Sequence, residues 1–127
     1  MVSDALIKKV LDCVCEVQRN LTPGFLESVY QAALMYELEQ RGISAKDHVK
    51  IEVDYKGTVV GNFEADVIVE DQIILELKAT KTLAKAHEAQ LVCYLTATGI
   101  ETGFLVNFGE GREIRRRWRH YKPTGQS

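Results

Sequence analysis

The chain has 127 residues, a net charge of −2, 46% hydrophobic residues and 27% charged residues. That is long enough for one buried core without disulfide or metal staples, with the composition of an ordinary globular protein. No apolar run reaches the length of a membrane span and the N-terminus lacks the apolar core of a signal peptide, so the expectation is a cytoplasmic protein with no membrane association.

Three cysteines are an odd number; Cys13 and Cys15, two apart on a helical pattern, point in different directions and read as small core residues in a reducing compartment. The charge is unevenly laid out. Between Arg112 and Lys122, six Lys or Arg stand against Glu113, net +5, which leaves −7 for the remainder. An anionic partner for that segment is one reading, and a solvated, aggregation-resistant edge is the other.

Leu6, Val10, Cys13, Val14 and Val17 recur at helical spacing and predict a packing helix over residues 2–19, capped by Ser3 or Asp4. Thr22 and Pro23 supply a start for a second helix running to Arg41 and stopped by Gly42, with Leu26, Val29, Ala33, Leu34 and Leu38 as its apolar stripe. Glu27 and Tyr30 project from one side of it; a Glu in the first turn also suits the helix dipole. Val49, Ile51, Val53 and Tyr55 alternate with charged residues and predict a strand with one wet face. Lys56-Gly57 turns it into a longer strand to Val69, with a bulge or bend at Gly61-Asn62.

Asp66 to Lys78 is the stretch that the rest serves. Two runs rich in Val, Ile and Leu flank Glu70-Asp71-Gln72, the pattern of a tight hairpin. A three-residue turn sets Val69 against Ile73 and Asp66 against Glu76, and another turn length would slip this by a residue. Glu76 and Lys78 then share a face with Ile74, while Leu75 and Leu77 point the other way. Two carboxylates and an ammonium on one face of a buried strand are costly unless paired or used. Either they form a structural Glu-Lys pair, or they hold a divalent cation beside a reacting phosphate.

A third helix, Leu83 to Thr98, ends at Gly99. Leu83, His87, Gln90, Leu91, Tyr94 and Leu95 lie along one stripe, so Gln90 and Tyr94 interrupt the face that should dock on the sheet and His87 reads as a hydrogen-bonded structural histidine. Gly103 to Phe108 is a buried-type strand and Glu113 to Tyr121 a charged edge strand. Residues from Pro123 onward are expected to fray, leaving one domain over residues 1–122.

The order helix, three strands, helix, strand, with an acidic residue on the second strand and Glu-x-Lys on the third, resembles the core of the PD-(D/E)XK nuclease superfamily. Gly24-x-x-Glu27-x-x-Tyr30, Glu76-Leu77-Lys78, His87-Glu88-x-Gln90-Leu91-x-x-Tyr94-Leu95 and Asn107-Phe108-Gly109 look like the small bacterial GxxExxY proteins assigned to it. The resemblance implies an α/β, restriction-endonuclease-like core (αβββαβ), a mixed central sheet flanked by helices, with an extra N-terminal helix. It also implies catalytic roles for Asp66, Glu76, Lys78 and Glu27, with Asp66, Glu76 and Glu27 holding Mg²⁺ or Mn²⁺. Gln90 and Tyr94 match the Gln-x-x-x-Tyr element of the recombination exonuclease branch. Ala65 stands where the motif has Pro.

The expected function is a metal-dependent deoxyribonuclease in a repair, recombination or defence context. Gln90, Tyr94, Tyr30, Arg115 and Arg117 would contact substrate, the arginines through the DNA backbone without sequence preference. A homodimer or a protein partner is left open. The alternative is a noncatalytic nucleic-acid-binding or protein-interaction module that keeps the fold.

Overall fold

A computed structural model describes residues 2–120; the expected fraying from Pro123 lies outside them. Helix α1 spans Asp4–Asn20, with the Ser3 hydroxyl accepting from the Leu6 N–H at 3.1 Å, and buries Val10, Cys13, Val14 and Val17 as expected, with Ile7 rather than Leu6 completing the buried face.

Helix α2 spans Glu27–Gln40, four residues later than Thr22-Pro23 suggested. Gly24, at φ +124°, takes the chain out of helical conformation. The Tyr30 hydroxyl then holds the preceding loop, donating to the Thr22 carbonyl at 2.6 Å and accepting from the Phe25 N–H at 3.1 Å. The buried face is Tyr30, Gln31, Leu34 and Leu38, whereas Leu26 is 78% and Val29 38% exposed. Apolar residues surround this helix, so spacing alone allowed two faces; stacking of Tyr30 on Phe108, with ring centroids 4.9 Å apart, goes with the one observed. Tyr30→Phe should cost about 1–2 kcal/mol, read as a fall of roughly 4–8 °C in Tm by circular dichroism.

One five-stranded sheet runs in the order β1 (Ala45–Tyr55), β2 (Thr58–Val69), β3 (Ile73–Lys78), β4 (Thr102–Asn107), β5 (Ile114–Trp118). All neighbours are antiparallel except β3 and β4, which are parallel and joined through helix α3 (Lys85–Thr98). The β1–β2 connection is the expected two-residue turn, with Lys56 at φ +53° and Gly57 at φ +84°. Val53 pairs with Gly61 and Asp54 with Val59, so the bulge falls at Val60, one residue before the expected Gly61-Asn62, which pair regularly. In the β2–β3 hairpin Val69 pairs with Ile73 and Val67 with Leu75, the register expected from a three-residue turn.

Each face of the sheet carries its own apolar layer. Leu75, Leu77, Val67 and Val106 pack with α1 and α2 on one side; Ile74, Ile68 and Leu105 pack with Leu91, Tyr94 and Leu95 of α3 on the other. Helix α3 sits close on β4, because a Cβ at Gly103 would stand 2.7 Å from the Leu91 side chain. It stops at Gly99, φ +76°. His87 caps it, its Nδ1 accepting from the Ala84 N–H at 3.1 Å, the structural role expected.

Candidate active site

The hairpin register brings Asp66 opposite Glu76, one step beyond the Val67–Leu75 pair. The Leu77 N–H donates to Asp66 Oδ2 at 2.8 Å, which fixes the Asp66 carboxylate against β3. Glu76 lies on the α3 face and is 3% exposed. Burial pushes its carboxyl up to about 9; hydrogen bonding to the Asp66 side chain and that carboxylate's charge add to the effect, and Lys78 opposes it. Glu76 Oε1 is buried with no hydrogen-bond partner. Such an atom is costly, and a cation or a hydrogen-bond donor beside it would relieve that cost.

Lys78 is half-buried at the end of β3, and Tyr94 is buried on α3 facing the same pair. Burial, then the charges of Glu76 and Asp66, raise the Tyr94 phenol above its ordinary value. Gln90 is exposed rather than buried. The residue that α3 does bury beyond its apolar stripe is Glu88. Helical rotation explains the exchange, since the docked face is centred on Leu91 and Leu95.

Three further expectations are corrected. Glu27 is exposed at the first residue of α2, and among the described residues no group of three His, Cys, Asp or Glu is placed to hold a metal, so Glu27 does not join Asp66 and Glu76. The later start of α2 leaves it in the first turn, where its charge suits the helix N-terminus.

Tyr30 is fully buried with its hydroxyl engaged by the loop, so it is an anchor and not a substrate contact. Arg115 and Arg117 are not free for a DNA backbone. Alternation along β5 aims both at α3, where Arg115 Nη1 donates to Glu88 Oε2 at 2.6 Å and Arg117 Nε to Glu88 Oε1 at 2.7 Å. Arg119 pairs with Glu101, and Arg116 lies over the Phe104 and Trp118 rings. Much of the local positive excess is thus neutralised within the fold.

Sequence reasoning also missed a polar chain beside Asp66. The buried Gln31 amide donates to the Asp66 carbonyl at 3.2 Å and lies 3.2 Å from His48 Nε2, and His48 Nδ1 is 2.9 Å from Glu64. A lone glutamine among Tyr30, Leu34 and Leu38 was the only available signal, and it pointed inward only once the helix face was known. The cysteines divide: Cys13 is buried as expected, Cys93 is exposed.

The quoted Asn107-Phe108-Gly109 block proves to be a clamp on the chain leaving β3. Asn107 is fully buried, its Oδ1 accepting from the Thr80 and Gly109 N–H groups at 3.0 and 2.9 Å and its Nδ2 donating to the Thr80 carbonyl at 2.9 Å.

A mixed sheet between helical layers, with an Asp on the second strand facing Glu-x-Lys on the third, defines a restriction-endonuclease-like fold. The chain belongs to the PD-(D/E)XK nuclease superfamily, whose family model matches residues 4–120. A solved structure described as "Crystal structure of SSO0001" is similar at 23% identity and a TM-score of 0.56, over 72% of this chain and 48% of that one. The chain therefore spans about half the length of that structure, and at this identity the likeness shows the fold alone. No curated protein matches the chain significantly.

Proposed function

We propose that the protein is a metal-dependent nuclease hydrolysing phosphodiester bonds in DNA. The observation that carries this is the buried, partnerless Oε1 of Glu76 beside Asp66 and Lys78, in a chain of nuclease ancestry. Asp66 and Glu76 would hold Mg²⁺ or Mn²⁺; two carboxylates suit an ion that keeps several waters. When bound, the ion supplies charge neutralisation at the phosphoryl oxygens and a more acidic water.

Lys78 stands two residues beyond Glu76 on the same face, placed to stabilise the nucleophile or the developing negative charge. The Leu77 N–H and the Gln31 amide hold Asp66 in orientation. Gln90, exposed one turn before Tyr94, is available to substrate. The four matching sequence blocks support placement among GxxExxY-type proteins, acting in the cytoplasm in repair, recombination or defence. A noncatalytic module is the second reading, favoured by the absence of a third carboxylate beside the pair among the described residues.

Cleavage of single-stranded, duplex and branched DNA in Mg²⁺ or Mn²⁺, abolished by chelator and reduced by roughly 10²–10³-fold in Lys78→Ala, is the expected result. No cleavage of any of these, together with identical metal calorimetry for wild type and Asp66→Asn, would sink the enzymatic reading.

A further inference from the structure

Against Tyr94, on the α3 side of the sheet, stands a phenylalanine that the fold leaves half in water. Phe63 lies on β2 opposite Ile51, three residues before Asp66, and is 47% exposed. Its ring is nevertheless held. It meets the Tyr94 ring at a tilt, with centroids 5.7 Å apart and planes at 46°, and its edge is close to Gly61, where a Cβ would stand 3.3 Å from Phe63 Cε2. Tyr94 in turn feels the charges of Glu76 and Asp66. The ring is thus displayed beside the site on the α3 face, about 10 Å along the strand from Asp66 at ordinary strand rise.

A large aromatic ring that is half in water and backed by a second ring suits a stacking surface, an apolar π system with part of its ordering already supplied by its neighbours.

We infer that Phe63, backed by Tyr94 and Gly61, is a base-stacking platform that gives the site a preference for single-stranded nucleic acid, whose bases are free to leave their neighbours. The inference rests on the nuclease reading for its setting and deepens it by naming the substrate class. Duplex DNA keeps its bases stacked and offers Phe63 no face to receive. The partner is a strand of any sequence, because every base has a π face and stacking does not read hydrogen-bond edges.

The test uses the full chain in chelator, so that no cleavage intervenes, with an oligonucleotide carrying 2-aminopurine as a fluorescent base. Wild type should quench the single-stranded probe and bind it more tightly than the same probe in duplex. Phe63→Ala should lose the quench and about 10-fold in single-strand affinity while duplex affinity changes less than 2-fold, and Phe63→Trp should restore both. Phe63→Leu, which keeps an apolar contact with Tyr94 but removes the ring, should lose quench and affinity as Phe63→Ala does, whereas a loss caused by destabilisation alone would be largely restored by Leu.

No quench by wild type, unchanged quench and affinity in both truncations, or equal losses on single strand and duplex would each overturn the inference. Cleavage measured in parallel in Mn²⁺ separates the two claims. Quenching without cleavage leaves the stacking platform and removes the nuclease; cleavage with an insensitive Phe63 does the reverse.

Discussion

Glu76→Gln should abolish cleavage and, in the same protein, raise the stability of the metal-free fold at pH 8 by roughly 3–5 kcal/mol. The folded carboxyl keeps its proton up to about 9, mainly because it is buried and also because Asp66 stands beside it, whereas in the unfolded chain it ionises near the ordinary glutamate value of about 4.3. Between those two values the native state binds more protons than the unfolded state. Stability therefore falls as pH rises through this window and levels off above the folded value.

Glutamine is the isostere of the protonated acid and does not titrate, so its pH–stability curve should be flatter and should meet that of wild type near pH 4–5. A divalent cation needs the ionised form, so binding should release a proton and tighten as pH rises from 7 toward 9, and Mg²⁺ or Mn²⁺ should raise the Tm of wild type but not of Glu76→Gln. Thermal melts across pH 4–9, with and without metal, read all of this. Superimposable curves for the two proteins would mean that Glu76 is ionised in the fold and that the cost assigned to it is absent.

Gly109→Ala should be among the most damaging single-methyl additions in the chain. An added Cβ would stand 2.0 Å from the Thr80 carbonyl oxygen, 2.6 Å from its nitrogen and 2.7 Å from its carbonyl carbon. All three are backbone atoms, so no side-chain rotation relieves the overlap. The segment cannot move aside freely either, because both the N–H and the carbonyl of Thr80 are held by the buried Asn107 amide.

Relief requires breaking that clamp, leaving buried polar groups unsatisfied, and shifting Thr80, two residues beyond Lys78. The expected loss is about 3–5 kcal/mol, a fall of 10 °C or more in Tm, with Lys78 displaced from its working position. A melt within a few degrees of wild type would show that the Ala79–Lys81 segment yields more easily than this packing implies.

The parts of the molecule written in local pattern came through the sequence intact. Period-two and period-3.6 spacing placed α1, all five strands and the body of α3, because alternation and rotation are properties of one element, although the exact buried stripe was misplaced at Leu6 and Gln90. The hairpin itself is of the same kind, whereas its register, open to a one-residue slip with turn length, was fixed by the observed three-residue turn that sets Asp66 against Glu76. Motif blocks further along the chain supplied the superfamily.

Which helix face is buried, and which charges are already paired, is decided between elements. Helix α2 is apolar on more than one side, so the sequence offered Leu26 and Val29 where stacking on Phe108 goes with burial of Tyr30 and hydrogen bonding to the Asp66 carbonyl with burial of Gln31. The arginines of β5 look free until Glu88, 27 and 29 residues away, arrives beneath them. Glu27 reads as a third ligand until the helix start is fixed. The sequence by itself determined the sheet, its carboxylate pair and the lysine beside them, since strand periodicity is a local property. Only the tertiary structure decided that the pair stands without a third acid among the described residues, that Asn107 clamps Thr80, and that Phe63 stays in water, because burial and hydrogen-bond pairing depend on distant segments meeting in space.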